Sequence, residues 1–148
     1  MPTIRPAHVD DLPAISAVCL AAFTAAVAPS LSAAGIATFG SVAAAEAFGA
    51  RLHGDNQILV AEQDGRVVGV VELKGRHLAM LFVDPGCHGQ GIGHAIFEAV
   101  LPQVREPVLT VRASLNAVPT YLRYGFVLDG DVSELNGLVY QQMVRAAA

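Results

Sequence analysis

Three glycines, Gly89, Gly91 and Gly93, lie between a strand-like segment and a helix-like segment of the chain. The stretch 80–97 reads MLFVDPGCHGQGIGHAIF, and its VDPG sequence is typical of a strand that ends in a turn. Glycines allow neighbouring backbone N–H groups to converge, and the first turn of a helix adds further unpaired N–H groups. The pattern predicts an anion-binding loop whose natural guest is a phosphate or pyrophosphate group.

Three phosphate-binding patterns can be compared with this loop. A Walker loop requires a lysine directly after its glycines, and no lysine follows them here. The dinucleotide pattern G-x-G-x-x-G fails at His94 when it starts at Gly89, and it fails at Ile96 when it starts at Gly91. A third pattern, [Q/R]-x-x-G-x-[G/A] after a V-D-P strand end, fits residues 88–93 except for His88 in its first position.

A second motif lies near the end of the chain, where residues 116–126 read NAVPTYLRYGF. The two motifs, in this order and at this separation, resemble the acetyl-CoA loop and the N-x-A…Y-x-x-x-G-F signature of the GNAT acyltransferase superfamily. Residues 3–15 are similar to the first strand and helix of that family. The resemblance covers essentially the whole chain, and it implies one N-acetyltransferase-like domain, residues 1–148, that uses acetyl-CoA as its co-substrate.

The resemblance also implies where the cofactor binds. The pantetheine arm would run between two splayed parallel strands, 78–83 and 108–112, and pair with the first of them. The implied contacts come from the first strand, the glycine loop and the segment after the second strand: Leu81, Phe82, Val83, His88, Gly89, Gln90, Gly91, Ile92, Gly93, His94, Asn116 and Tyr121. Because a histidine is only partly charged near neutral pH, His88 predicts a pH-dependent affinity for coenzyme A.

Tyr121 lies four residues before Gly125, where the family places its tyrosine. The resemblance implies transfer of an acetyl group to a primary amine by direct attack on the thioester, with Tyr121 as the general acid that protonates the departing thiolate. Two alternatives stay open: Tyr121 only packs beside the cofactor sulfur, or the domain is a non-catalytic acyl-CoA-binding module. Tyr124 occupies a variable position of the motif, and we expect it to pack or to face solvent.

The sequence gives less guidance on a general base. If Lys74 and Gly75 form a two-residue turn, Glu72 and His77 lie directly opposite each other on one face of the sheet. A carboxylate beside an imidazole could take the ammonium proton of the acceptor, directly or through water. The alternatives are an exposed cross-strand pair near a hairpin end and a chain of water molecules without a single base.

The elements that must position these residues follow from hydrophobic periodicity and turn signals. We predict the order β-α-α-β-β-β-α-β-α-β-β, with strands at 3–5, 57–62, 66–73, 76–83, 108–112, 126–128 and 138–144. Helices are predicted from Asp10 or Asp11 to just before Pro29, at 36–52, after the glycine loop and at 119–123. The predicted fold class is mixed α/β, with a mostly antiparallel twisted sheet and helices on both of its faces.

Composition limits the remaining classes of function. Charged residues make up 15% and apolar residues 53% of the 148, which excludes a disordered chain. A net charge of −4 without basic runs argues against nucleic-acid binding. The two cysteines, Cys19 and Cys87, are too few for a disulfide framework or a four-ligand zinc site, so we expect no metal.

The N-terminal sequence lacks the basic and apolar regions of a signal peptide, which predicts a cytoplasmic protein with reduced thiols. No charged residue lies between Asp11 and Glu46, but proline, serine and glycine interrupt this stretch, so we expect two Ala-rich helices and no membrane span. Small side chains suit close packing on a sheet or on a second subunit, and a homodimer is one expectation. The acceptor is predicted to be a small-molecule or peptide amine, and uncharged helices beside it argue against a highly charged one.

Overall fold

The computed structural model describes residues 2–148, whose strands form one sheet. In chain order the strands are β1 (Thr3–Pro6), β2 (Gln57–Gln63), β3 (Arg66–Lys74), β4 (His77–Val83), β5 (Val108–Ala113), β6 (Val127–Leu135) and β7 (Leu138–Ala146). Their order across the sheet is β1-β2-β3-β4-β5-β7-β6. Every neighbouring pair is antiparallel except β4 and β5, which are parallel. This topology confirms the predicted mixed, mostly antiparallel sheet.

Helices cover both faces of the sheet, as predicted. They are α1 (Leu12–Ala26), α2 (Ala33–Val42), α3 (Ala45–Leu52), α4 (Ile92–Val100) and α5 (Val118–Arg123). The first three build one apolar core with the sheet, which contains Phe23, Phe39 and Phe48. The last two build a second core, which contains Phe97 and Tyr121. Because both faces of β3 are covered, every residue from 67 to 73 is buried.

The helix predicted at 36–52 is wrong as a single element. The structure has two helices there, α2 and α3, bent by 47° relative to each other. The chain leaves helical geometry at Ala44, whose backbone is extended. Ser16 on α1 donates its hydroxyl to the Ala43 carbonyl at 2.6 Å, which satisfies an acceptor near the end of α2. Gly40 and Gly49 weaken the predicted helix on either side, but the break falls between them at Ala44, in an alanine run that carries no turn signal of its own.

The strand predicted at 126–128 is longer in the structure, where β6 extends to Leu135 and pairs with β7 as a hairpin. Every residue of β6 is exposed, so no alternation between a buried and a solvated face marked its length in the sequence. The hairpin turns at Asn136 and Gly137, which both have positive φ angles, 52° and 83°. This backbone geometry is typical of a tight two-residue turn.

The N-terminal helices meet a simple criterion for a membrane span. By length and composition, Val9–Ala26 is apolar enough to cross a bilayer, and the bent pair of α2 and α3 passes the same test together. A helix that packs on its own sheet passes it as well, and α1 buries Ile15, Cys19 and Phe23 in this way. The expected absence of a membrane partner and the expected homodimer therefore stay predictions.

Candidate functional site

The parallel strands β4 and β5 separate soon after they meet. They pair only at His77 with Thr110 and at Leu78 with Val111, and beyond these pairs the two strands diverge. Ala79 has no partner on β3 because Leu73 pairs with Leu78 while its neighbour on β3 pairs with Met80. A β-bulge therefore lies at the apex of a wedge, and the edge of β4 that faces β5 is open from residue 79 to residue 83.

A cavity of about 800 Å³ passes through the sheet at this wedge. On the face that carries α4 and α5, it is lined by the glycine loop, Asn116, Tyr121 and Tyr124. On the opposite face it is lined by α1, α2 and β7. Two molecules that enter from opposite faces can therefore meet between β4 and β5.

The loop between β4 and α4 is fixed by its first residue and by two left-handed glycines. The carboxylate of Asp84 accepts a hydrogen bond from the backbone N–H of Gly86 at 2.8 Å and pairs with Arg66 at 3.2 Å. Gly89 and Gly91 have φ angles of 82° and 77°, and Gly91 is the N-cap of α4. A Cβ atom at either glycine would meet no atom within 4 Å, so backbone geometry rather than space requires glycine there.

The start of α4 offers backbone donors to the cavity. The N–H of Ala95 is the first to bond within the helix, to the carbonyl of Gly91 at 3.1 Å. The preceding N–H groups therefore have no partner inside α4 and carry the positive end of its dipole. Gly93 permits close packing here, because a Cβ atom at this position would lie 3.3 Å from the Tyr124 hydroxyl oxygen.

Tyr121 on α5 and Tyr124 just after it both border the cavity, but they differ in burial and in their ring contacts. Tyr121 is buried, and its ring meets Phe126 edge-on with centroids 5.4 Å apart. Its hydroxyl makes no hydrogen bond to another residue of the described range 2–148, and burial raises the pKa of Tyr121 well above its ordinary value. Tyr124 is half-buried and stacks on Phe97 at 4.9 Å. Both phenols are therefore neutral near pH 7, and both line the cavity.

Comparison with known proteins identifies the family. A model of the acetyltransferase (GNAT) domain matches residues 27–147, which is most of the chain. The chain belongs to the GNAT acetyltransferase family. This match confirms the resemblance carried by the glycine loop and by the motif at 116–126.

Relatives of known sequence and structure agree with this assignment. The uncharacterized N-acetyltransferase YafP of Escherichia coli is 35% identical over 71 residues, 48% of this chain and 46% of that protein. The peptidyl-lysine N-acetyltransferase YjaB of Salmonella typhimurium is 37% identical over 76 residues, 49% of this chain and 50% of that protein. The matched part therefore spans about half the length of these curated relatives.

Two solved structures match almost the whole chain. A GCN5-related N-acetyltransferase from Rhodopseudomonas palustris superposes with a TM-score of 0.87 and 27% identity, covering 99% of this chain and 96% of that one. The PaiA N-acetyltransferase of Thermoplasma acidophilum, solved in complex with coenzyme A, gives a TM-score of 0.80 at 17% identity, with 99% of each chain covered. The second likeness concerns the fold alone.

Most residues predicted to hold the cofactor line the cavity of this GNAT domain. They are Leu81, Phe82, Val83, His88, Gly89, Gly91, Gly93, His94, Asn116 and Tyr121. Gln90 is exposed and lies outside the cavity wall, and the Ile92 side chain is buried in the core beneath α4. The His88 ring donates its Nε2–H to the Val83 carbonyl at 3.1 Å, and His94 lies 3.2 Å from Glu98 on the exposed side of the helix.

The predicted pairing of Glu72 with His77 is wrong. Lys74 pairs with His77, so the turn is formed by Gly75 and Arg76, one residue later than predicted, and the bulge at Ala79 shifts the register further. Glu72 stands opposite Met80 instead. Its side chain is 1% exposed, and Oε2 accepts hydrogen bonds from Arg51 Nε and Asn56 Nδ2, both at 2.7 Å. Glu72 therefore fastens α3 to the sheet, and its side chain does not reach the cavity.

His77 does line the cavity, at the apex of the wedge. Its Nδ1 lies 3.0 Å from the Thr110 hydroxyl on β5. The pKa of His77 is lowered from 6.5. The larger cause is the partial burial of the ring, and the positive charges of Arg112 and Lys74 add to it. The imidazole is therefore neutral at pH 7, with Nε2 free to accept a proton when Nδ1–H bonds Thr110.

Two cavity-lining arginines were missed from the sequence. Arg123 ends α5, and Arg112 lies on β5 with its guanidinium over the Tyr140 ring, 5.0 Å from the centroid. A signal for Arg112 was present, because alternation along a strand places it on the face opposite Val111 and Ala113, which are buried. Among residues 2–148, no aspartate or glutamate lines the cavity.

Proposed function

We propose that this protein transfers an acetyl group from acetyl-CoA to a primary amine. The observation that carries the proposal is the cavity through the sheet, which joins an anion-binding loop on one face to an apolar surface on the other. We name the two parts of this cavity by their proposed guests. The donor side comprises the glycine loop, the open edge of β4 and α5, and the acceptor side is the part lined by α1, α2 and β7. The two sides meet in the β4–β5 wedge.

On the donor side, the pyrophosphate of coenzyme A binds the backbone N–H groups at the start of α4. The pantetheine arm then lies along the open edge of β4 and pairs with the backbone of residues 81–83, as an added strand would. Asn116, in the turn that follows β5, borders the same channel and can donate its amide to the arm. In this arrangement the thioester reaches the bulge at Ala79.

The reaction is a direct displacement. The amine nitrogen attacks the thioester carbonyl carbon, a carbon–nitrogen bond forms, and the carbon–sulfur bond breaks. The attacking nitrogen, positively charged after the attack, gives up a proton, which replaces the proton that Tyr121 donates to the sulfur. The oxyanion formed on the way is stabilised by N–H groups on the open edge of β4, which need no reorganisation to meet it. Tyr121 gives its phenolic proton to the departing sulfur, a role supported by its position on the cavity wall beside the glycine loop and Asn116.

The acceptor enters as an ammonium ion and must lose a proton before it attacks. His77 is the candidate acceptor of that proton, either directly or through a water molecule. Three observations support this role: the ring lies at the apex of the wedge, its lowered pKa keeps it neutral at pH 7, and no carboxylate of residues 2–148 lines the cavity. Glu72 has no part in this proposal.

Two measurements, made one after the other, test the proposed function. Acetyl-CoA at about 100 times its dissociation constant stabilises the native state by about 2.7 kcal/mol, which raises Tm by several degrees. Gly91→Val, which forces a side chain into a left-handed position of the loop, should lose most of this rise. Gly40→Val is its matched control, because it lies at an uncrowded site of α2 away from the loop.

Release of free coenzyme A in the presence of a panel of primary amines then tests turnover. Amine-dependent release is the expected result. A Tm rise without release from any amine would favour a non-catalytic acyl-CoA-binding module. An unchanged Tm with folded protein would contradict the donor site itself.

A further inference from the structure

The acceptor side has an aromatic surface. Phe23 and Phe39 stack with ring centroids 4.0 Å apart, and Phe82 meets Phe39 edge-on at 5.5 Å. All three rings line the cavity. A flat apolar group bound here gains contact with aromatic rings and displaces water from apolar surface.

Arg112 places a positive charge beside this surface. Its side chain is exposed, and it forms no ion pair with any carboxylate among residues 2–148. The guanidinium lies over the Tyr140 ring, 5.0 Å from its centroid, an arrangement in which the ring attracts the positive charge. Because no described acidic residue lines the cavity, the charge has no partner of opposite sign within it.

The position of Arg112 along the wedge separates it from the phosphate loop. Thr110 is level with His77, so Arg112 is level with Ala79, whereas the loop begins after Val83. Four strand residues, roughly 13 Å, separate these two levels. Arg112 also lies on the face of the sheet opposite α4. Its charge is therefore placed at the reactive end of the cleft and on the acceptor side.

We propose that the acceptor is an amine on an apolar, aromatic body that also carries a carboxylate, and that Arg112 binds this carboxylate. The inference rests on the proposed acetyl transfer and specifies its acceptor. A guanidinium can donate two parallel hydrogen bonds to a carboxylate, a geometry that a lysine cannot reproduce. An acceptor without a negative charge leaves the Arg112 charge unpaired. A polyamine brings more positive charge to a cavity that no described carboxylate lines.

A matched series of three amines tests the proposal: L-phenylalanine, L-phenylalaninamide and 2-phenylethylamine. They share the aromatic body and the primary amine, and only the first carries a carboxylate. We expect kcat/KM for L-phenylalanine to exceed both others by about tenfold or more, the range of hydrogen bonds to charged groups. Arg112→Gln should abolish this preference, and Arg112→Lys should restore only part of it. Arg105→Gln, an exposed arginine outside the cavity, should leave the preference intact.

The outcomes distinguish the inference from the proposed function. Equal rates for the three amines, or a preference that survives Arg112→Gln, would overturn the role of Arg112 while acetyl transfer stands. Turnover of other primary amines but of none in this series would overturn the acceptor class. If no amine releases coenzyme A, binding can still test the role of Arg112. The measurement is a calorimetric titration of each of the three amines into protein saturated with coenzyme A. Arg112-dependent binding of L-phenylalanine alone would support the inference, and its absence would contradict it.

Discussion

The donor side and the acceptor side of the cavity differ in the kind of atoms that line them. The donor side offers mainly backbone atoms, those of the left-handed glycines, the start of α4 and the open edge of β4. Its two side chains with proposed roles, Asn116 and Tyr121, come from one short motif. The acceptor side uses side chains that come from distant parts of the chain, and Thr38 of α2 meets Asn136 of the β6–β7 turn across 98 residues of sequence. A backbone site needs a local motif, whereas a side-chain site needs the whole fold.

The contact that closes the acceptor side is unusually tight. The Thr38 hydroxyl donates to the Asn136 carbonyl at 2.6 Å. Gly35 and Gly137 lie so close that a Cβ atom on Gly35 would overlap the carbonyl oxygen of Gly137. The hairpin turn therefore rests directly on the backbone of α2, and this contact sets the distance between the two walls of the acceptor side.

The largest expected effect concerns the donor side. Tyr121→Phe removes the proposed proton donor and keeps the ring that packs against Phe126. We expect kcat to fall by about 10²- to 10⁴-fold, the usual contribution of a positioned acid, while the dissociation constant of acetyl-CoA stays constant. Steady-state kinetics and calorimetry measure the two quantities. Tyr124→Phe is the rival variant, and a greater loss of kcat there than in Tyr121→Phe would reassign the acid.

A methyl group added at Gly35 of α2 should weaken binding of the amine without changing the binding of acetyl-CoA. Gly35→Ala forces the hairpin turn away from α2, an overpacking that costs about 1–3 kcal/mol of unfolding free energy. Because the displaced turn moves one wall of the acceptor side, we expect KM for the amine to rise by about tenfold, which corresponds to about 1.4 kcal/mol of binding free energy, and affinity for acetyl-CoA to remain unchanged. Gly40→Ala is the matched control in the same helix, because its Cβ meets no atom within 4 Å. Equal effects on both substrates would show that the two sides are not independent.

A substitution at Glu72 tests whether this carboxylate stabilises the fold or takes part in catalysis. Glu72→Gln weakens the bond to Arg51, and we expect the unfolding free energy to fall by about 1–3 kcal/mol, as for other hydrogen bonds to charged groups. The kcat of the folded variant should match the parent, because the side chain does not reach the cavity. Glu46→Gln, an exposed carboxylate on the same helix as Arg51, should change stability far less. A hundredfold loss of kcat in folded Glu72→Gln protein would indicate that Glu72, and not His77, is the general base.

The same division explains what the sequence could predict. The glycine loop and the strand positions along the chain could be predicted because each depends on local sequence, a left-handed turn before a helix and runs of apolar residues bounded by turns. Tyr121 was assigned from the resemblance to the GNAT family, and its role stays a prediction. The register of the β3–β4 hairpin was not, because one bulged residue, Ala79, and a turn displaced by one position moved Glu72 away from His77. Arg112 and the contact of Gly35 with Gly137 become meaningful only when β5, β7 and α2 are assembled.

The smallest expected effect lies where the two sides meet, at the ring of His77. Its pKa is lowered by burial and by two neighbouring cations, so removing either cation should raise it toward 6.5. We expect the shift to be larger for Arg112→Gln than for Lys74→Gln, a lysine at the exposed end of β3. NMR titration of the His77 Cε1 proton measures the pKa directly, and the acid limb of kcat should move with it.

The sign of this shift is decisive. Protonated His77 cannot take a proton from the acceptor, so activity should fall as pH drops through the pKa of the ring. A higher pKa moves that fall to higher pH, and each variant should lose activity in a window just below pH 6.5 where the parent remains active. Salt should produce a weaker shift in the same direction by screening the cations. An acid limb that ignores the Lys74→Gln and Arg112→Gln substitutions while the NMR pKa moves would show that His77 titrates beside the reaction without taking part in it.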